Sequence, residues 1–326
     1  MIRKIIALIT LTTLTTTSFA EIKKERLEKM KKFYKNLPVL VTGGAGFIGS
    51  HITETLVTLG AHVTVIDNLS TGNIENLKNV KHNITFIEKS IADMDACLEA
   101  TEGQEVIFHL AAFISVPESM ENPTLCHKVN VDGTFNILDA ARIQGVQRFV
   151  LSSSSAVYGT VEGVCKENMT PNPESPYGTS KLIGEYYCKQ FANNFGLQTV
   201  ALRYFNVFGD KQNPNGAYAA VVAKFTDLMK QNKPLTIFGD GLQTRDFIPV
   251  QDVVEANLTV AMLNSEQMNG QIFNVATGKS VNLLELIDIL KKDFPTYNLK
   301  PEFKPSRAGD IKHSSADCSR YANIKF

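Results

Sequence analysis

From Pro38 onward the chain alternates short apolar runs of strand length with longer segments whose apolar positions recur at helical spacing. This alternation predicts an α/β protein, a parallel sheet covered by helices. Strands are expected at Pro38–Thr42, His62–Ile66, Asn83–Ile87, Glu105–Leu110, Arg148–Ser152 and Thr199–Arg203. Helices are expected between them, notably over Phe47–Leu59, Val129–Arg142 and Tyr177–Asn194. After about Asn206 the texture changes to Gly-, Pro- and Asn-rich turns with shorter elements, which marks a smaller second part. No internal repeat, low-complexity tract or long linker interrupts the pattern.

Composition narrows the class. With 326 residues, 44% of them hydrophobic, the chain can bury a full core as one large domain or two closely joined ones. Lys plus Arg and Asp plus Glu balance at 33 each, so there is no global basic field for nucleic acid. The cysteines number five and show no Cys-x-x-Cys spacing, which argues against a disulfide framework and against a zinc site, so no metal is expected. A reducing compartment, the cytoplasm, fits this usage. The N-terminus points elsewhere. Arg3-Lys4, the apolar and threonine-rich run Ile5–Phe19, and Ser18-Phe19-Ala20 before Glu21 resemble a secretory signal with a small-residue cleavage site. Met30 would also make a natural start, so residues 1–29 read as a mis-called start, a membrane tether or an export signal.

Two motifs carry chemistry. Gly43-x-x-Gly46-x-x-Gly49 lies where the first strand should meet a helix, and backbone amides at such a turn form a pyrophosphate site. Asp67 ends the second strand, where a carboxylate can accept hydrogen bonds from an adenosine ribose. No arginine follows it closely, which favours NAD over NADP. The second motif is Tyr177-x-x-x-Lys181, a phenol and an ammonium on one helix face, with Pro176 suited to the first helical position. A nearby cation favours the phenolate, and service as a base near neutrality needs about 4 kcal/mol of such stabilisation.

In order along the chain stand Gly43–Gly49, Asp67-Asn-Leu-Ser-Thr-Gly72, His109-Leu-Ala-Ala112, Asn130-Val-Asp-Gly-Thr134 and Ser152-Ser-Ser-Ser-Ala-Val-Tyr-Gly159. Tyr177–Lys181, Arg203-Tyr-Phe-Asn-Val-Phe-Gly209, Gln243-Thr-Arg-Asp-Phe247 and Arg307-Ala-Gly-Asp310 follow. This series resembles the extended short-chain dehydrogenase/reductase family in its nucleotide-sugar epimerase and dehydratase branch, closest to UDP-N-acetylglucosamine and UDP-glucose 4-epimerases. The resemblance covers about Pro38 to Asp317. It implies a Rossmann-type doubly wound parallel sheet over residues 30–205 and a smaller C-terminal α/β substrate-binding domain over 206–326.

The resemblance also implies roles. Tyr177 would be the base, Lys181 would lower its pKa and bind the nicotinamide ribose, and Ser154, easily confused with Ser155, would hold the reacting hydroxyl. NAD would lie against Gly43, Gly46, Phe47, Ile48 and Gly49, with Asp67, Asn68, Ser70 and Gly72 on its adenosine side. Leu110, Ala111, Ala112 and Ser152 would line it, Asn130 would fix the surrounding backbone, and Phe205 would pack near the nicotinamide. Asn206, Arg245, Arg307 and Asp310 would hold a nucleoside diphosphate, Leu235, Ile237 and Phe238 would flank uracil, and Ser115 would touch the substrate.

Some positions depart from the family pattern. Ser90 and Ile91 stand where an aspartate commonly reads adenine, and Ile114 stands where hexose-type bacterial enzymes carry a lysine. Ser155-Ala156 follow Ser154 where dehydratases and decarboxylases carry acidic residues, so elimination chemistry lacks its general acid or base. Ser314 stands where a tyrosine narrows the pocket of plain-hexose enzymes. The expectation is therefore a UDP-sugar 4-epimerase working through a transient 4-keto sugar and bound NAD, accepting UDP-GlcNAc and UDP-GalNAc and also UDP-Glc and UDP-Gal. It would form a homodimer through a helix bundle. A UDP-glucuronate 4-epimerase, a net-consuming dehydrogenase and a non-catalytic NAD-binding protein are the competing readings.

Overall fold

Alternate residues of the first strand divide the core between two faces of one sheet. Val39 and Val41 enter one apolar cluster and Leu40 the other, as the two-residue side-chain period of a strand requires. In the computed structural model, which describes residues 16–214, 220–305 and 312–324 and side chains from residue 24, the first described element is α1 (Thr16–Tyr34). There follow β1 (Pro38–Thr42), α2 (Phe47–Thr58), β2 (His62–Ile66), β3 (Ile84–Ile87), α3 (Met94–Thr101) and β4 (Val106–His109). Next come α4 (Val116–Glu121), α5 (Pro123–His127), a π-helical turn at Lys128–Asp132 and α6 (Gly133–Ile143). Then β5 (Arg148–Ser154), α7 (Pro176–Phe195) and β6 (Gln198–Tyr204) complete the expected α/β series.

The smaller part contains β7 (Asn206–Phe208), α8 (Val221–Lys230), β8 (Thr236–Phe238) and β9 (Thr244–Pro249). The chain continues through α9 (Val250–Val260), β10 (Asn269–Val275), β11 (Ser280–Asn282), α10 (Leu283–Lys291), β12 (Glu302–Lys304) and α11 (Ser319–Ala322). The main sheet has seven strands in the order β10-β6-β5-β4-β1-β2-β3, paired in parallel throughout. Parallel strands covered on both faces read as unbroken apolar runs, which is why the first two strands were legible to the residue. The strand order reverses at β1, between β2 and β4, and ligands of doubly wound sheets bind beyond the carboxyl ends of the strands at such a point.

Two expectations change. A single boundary at 205/206 does not follow the chain, because α9 packs on α2 and β10 joins the main sheet beside β6. The smaller part is instead built on the sheet β11-β9-β7, the pair β12-β8 and an apolar cluster of its own around Phe225, Leu286 and Leu290. The helix expected over Val129–Arg142 begins as the π turn and becomes regular only at Gly133. A π turn inserts an extra residue and re-aims its side chains, and here it turns Asn130 inward.

The leader-like run lies largely outside the described residues. α1 passes without a break through the Ala20–Glu21 position. Its last turns bury Met30 and Tyr34, with the Tyr34 hydroxyl donating to the Leu258 carbonyl at 2.7 Å. Arg26, upstream of Met30, reaches Glu255 of α9 at 2.7 Å. Among the described residues no helix is long and apolar enough to cross a membrane.

Candidate active site

The glycine turn after β1 is closed by contacts that leave no room for side chains. Gly43 has φ of +68°, and a methyl group there would meet the Ala111 amide nitrogen at 2.6 Å. One on Gly49 would overlap the Gly43 carbonyl oxygen. The turn is thus pressed against both the start of α2 and the strand-end backbone of Leu110 and Ala111. Gly46 is the N-cap of α2 and no side chain caps the helix, so the first amides at Phe47 and Ile48 end the helix beside a bare backbone cradle. A diphosphate is the ligand such a terminus suits.

Asp67, just past β2, is buried and accepts from the Ala45 amide at 2.9 Å and the Leu69 amide at 2.8 Å. Burial raises its pKa, and these two amides work against the rise. Gly72 closes over the same carboxylate, since a methyl there would stand 3.0 Å from both oxygens. Asn68 accepts from the Ser70 amide at 3.1 Å, which shapes the exposed turn between them. The glycine cradle, the uncapped helix and this strand-end carboxylate fit a dinucleotide.

Beside the cradle, Thr42 and His109 hold the edge that Leu110, Ala111 and Ala112 present. The Thr42 hydroxyl oxygen accepts from the amides of Leu110 and Ala111, both at 3.1 Å. Its lone pairs are then occupied, so its hydrogen points to His109 Nδ1 at 2.8 Å. His109 Nε2 in turn donates to Thr134 Oγ1 at 3.0 Å. Burial, with Lys181 nearby, pushes the imidazole down to about 3 and keeps it neutral. Thr42 is not singled out by sequence pattern, and His109 and Thr134 show there only as members of motifs.

The start of α7 carries the reactive pair. Ser175 caps it, accepting from the Gly178 amide at 3.1 Å, and Pro176 occupies the first turn. Ser119 of α4 accepts from the Tyr177 amide at 3.2 Å. Ser180 donates to the Tyr177 carbonyl at 2.7 Å and accepts from Asn130 Nδ2 at 2.9 Å. Asn130 also clamps Phe113, accepting from its amide at 2.7 Å and donating to its carbonyl at 3.0 Å. The expected backbone-fixing role of Asn130 therefore has a geometric basis, and the π turn supplies it.

Ser154, the last residue of β5, accepts through its hydroxyl from the Ala156 amide at 3.1 Å and lies near enough to the Tyr177 phenol to lower its pKa. Burial raises the phenol's pKa and the Ser154 hydroxyl opposes the rise. Lys181, 7% exposed, donates to the Ser152 carbonyl at 2.9 Å and sits 5.9 Å from the centre of the Tyr177 ring. Burial lowers its ammonium to about 8. In the protein by itself, burial is the largest influence on the Tyr177 phenol and raises its pKa above the ordinary value.

Other expected contacts divide. Ile91 is buried in the core beneath Gly133, so its side chain is committed to packing, and Ser90 accepts from the Ala92 amide at 3.2 Å. Phe205 is buried 6.4 Å from the Tyr158 ring. Ser115 caps α4, accepting from the Glu118 amide at 3.2 Å, and Ile114 is 64% exposed. Asn206 donates to the Asp246 carbonyl at 3.1 Å, and Arg245 on β9 is half-buried. Ser314 donates its amide to the Thr244 carbonyl at 3.1 Å, one residue from Arg245. Leu235 and Ile237, at 1% and 0% exposure, place their side chains in the apolar core of the smaller part, while Phe238 is partly exposed. Arg307 and Asp310 lie outside the described residues. No metal-ligating cluster occurs among the described residues.

Fold and site together define an NAD-dependent enzyme whose tyrosine, lysine and serine lie at the carboxyl edge of a doubly wound sheet. The chain belongs to the NAD dependent epimerase/dehydratase family, whose sequence model matches residues 39–276. A putative UDP-glucose 4-epimerase of Methanocaldococcus jannaschii is 42% identical over 258 residues, covering 78% of this chain and 82% of that protein. A UDP-N-acetylglucosamine 4-epimerase from Methanobrevibacter ruminantium M1, solved with UDP-N-acetylmuramic acid, is 40% identical with a TM-score of 0.84. It covers 90% of this chain and 93% of that one. A UDP-glucuronic acid 4-epimerase variant from Bacillus cereus, solved with a fluorinated UDP-sugar and NAD, is 31% identical with a TM-score of 0.80, over 88% and 92% of the two chains.

Proposed function

We propose that the protein is a UDP-sugar 4-epimerase that interconverts UDP-N-acetylglucosamine and UDP-N-acetylgalactosamine, and also the plain hexose pair, through a transient 4-keto sugar. The observation that carries this is the hydroxyl pair Tyr177–Ser154 with Lys181 one turn beyond, in a site with no carboxyl group at Ser155 or Ala156. Bound NAD supplies the acceptor and later the donor of the C4 hydride, and a positive charge that favours the phenolate. Tyr177 removes the C4 hydroxyl proton and returns it after the sugar has turned. Ser154 holds that hydroxyl, and Lys181 carries positive charge beneath the ring. Arg245, with Asn206 beside it, grips the diphosphate, so that the reacting ring is positioned without being locked on one face. Supplies of NAD and nucleotide sugars put this activity in the cytoplasm.

Sugar choice rests on Ser314. Its small side chain beside β9 leaves room for a C2 N-acetyl group. Ser314→Tyr is expected to lower turnover of the N-acetyl sugars about 10-fold or more and leave UDP-glucose within about 3-fold, and equal effects on both would defeat the assignment. The similarity to a UDP-glucuronic acid 4-epimerase favours a second reading, in which the acid sugar is the substrate. Incubating the purified protein separately with UDP-GlcNAc, UDP-Glc and UDP-GlcA, with product analysis, decides between them. Tyr177→Phe should cut kcat about 100-fold or more while NAD stays bound; full activity in that variant would refute the mechanism.

The α6–α7 face exposes Phe135, Ile143, Tyr186 and Phe195. A second copy of the chain packed there as a helix bundle would cover them, and light scattering on a Phe195→Glu variant tests that dimer.

A further inference from the structure

A second set of buried polar groups runs behind the reactive pair and touches neither cofactor cradle nor phenol. It begins at Ser153, the residue before Ser154, whose hydroxyl donates to Glu185 Oε1 at 2.6 Å. Glu185 lies on α7 one turn past Lys181 and is held by Arg203 of β6 through Nε at 2.8 Å and Nη2 at 2.7 Å. Arg203, 1% exposed, stacks 4.5 Å from the centre of the Tyr158 ring. The Tyr158 hydroxyl donates to Asn274 Oδ1 of β10 at 2.7 Å. Asn274 then donates through Nδ2 to the carbonyls of Cys165 and Asp317, both at 3.1 Å. Cys165 and residues 315–317 are joined by two further backbone bonds at 2.9 Å, which fix the segment that carries Ser314.

The series therefore links three places that must be in register for chemistry: the end of β5 with Ser154, the helix with Tyr177 and Lys181, and the strand of chain beside Arg245. A fully buried ion pair seldom improves stability over apolar packing, whereas fixing a unique arrangement is a use for one. We propose that Ser153, Glu185, Arg203, Tyr158 and Asn274 are positioning residues, which hold the proton-transfer groups at one end and the sugar-facing segment at the other. The assignment rests on the epimerase reading.

The two ends predict different kinetics. Ser153→Ala removes the donor beside Ser154 and is expected to lower kcat about 10-fold with KM for the UDP-sugar within about 2-fold. Ser153→Thr, which keeps a hydroxyl, should recover kcat to within about 3-fold of the wild type. Asn274→Ala releases the 315–317 segment and should raise KM about 10-fold with kcat within about 2-fold. Tyr158→Phe keeps the ring on Arg203 but cuts the bond to Asn274, and should show the Asn274→Ala pattern more weakly if the larger deletion fails to fold. Identical kcat and KM changes at both ends, or none in folded variants, would overturn the proposal. A wild type that turns over no UDP-sugar would sink the epimerase reading instead. The linkage is then read from amide exchange at residues 314–317, which Asn274→Ala and Tyr158→Phe should both accelerate about 10-fold or more; unchanged exchange overturns it.

Discussion

A methyl group added at Gly49 tests whether the glycine cradle holds the cofactor as its geometry requires. In Gly49→Ala the new carbon would overlap the Gly43 carbonyl oxygen and stand 2.9 Å from both the Gly43 carbonyl carbon and Gly44 Cα. Relief needs a movement of about 1 Å to reach ordinary carbon contact distances. The helix cannot supply it, because Ile52 and Leu56 anchor α2 in the core. Nor can the turn retreat, because Gly43 already closes on Ala111. The turn must distort, at about 1–3 kcal/mol of stability for forced overpacking. Displacing two amide donors from a diphosphate would forfeit about 3–6 kcal/mol, since hydrogen bonds to charged groups contribute about 1.5–3 kcal/mol each. The expected outcome is an NAD Kd raised about 100-fold or more, measured by calorimetry on cofactor-stripped protein whose circular dichroism matches the wild type. Gly46→Ala, whose methyl would stand 3.1 Å from the same oxygen, should lose only about 10-fold. A folded Gly49→Ala protein that binds NAD within about 3-fold of the wild type would refute this account of the cradle.

Lys181 makes a pH prediction. With its ammonium lowered from 10.5 to about 8 by burial, it is charged below pH 8 and loses charge above it, so kcat should decline on the alkaline side of about 8. Lys181→Arg, whose guanidinium stays charged, should lack that decline even at lower absolute activity; the same alkaline limb in both would assign it to another group. At the N-terminal helix, Tyr34→Phe deletes the donor to the Leu258 carbonyl in a buried setting and should cost about 1–2 kcal/mol in urea unfolding. A chain beginning at Met30 keeps Tyr34 and loses the half-exposed Arg26–Glu255 pair, worth less than about 1 kcal/mol. Equal losses in the two proteins would show that the upstream turns pack more firmly than that pair indicates.

The covered parallel sheet was legible because its strands are apolar on both faces and its helices alternate with them, a pattern set locally by residues such as Val39, Leu40 and Val41. Tyr177 and Lys181 were legible for the same reason: helical spacing alone brings them to one face. Gly43, Gly46 and Gly49 could be read as a turn, and the contact of Gly43 with Ala111 explains why side chains are excluded there. What pattern could not supply was any contact made between distant segments. Asn130 reaches Phe113 and Ser180 only because a π turn interrupts its helix. That Leu235 and Ile237 turn their side chains into an apolar core was likewise beyond the pattern. The return of β10 to the main sheet, and the pairing of Glu185 with Arg203, depend on which strands and helices become neighbours in space. Periodicity reports the face a residue occupies on its own element. Which element then covers that face is decided by three-dimensional packing, and so is the burial that raises the pKa of Tyr177.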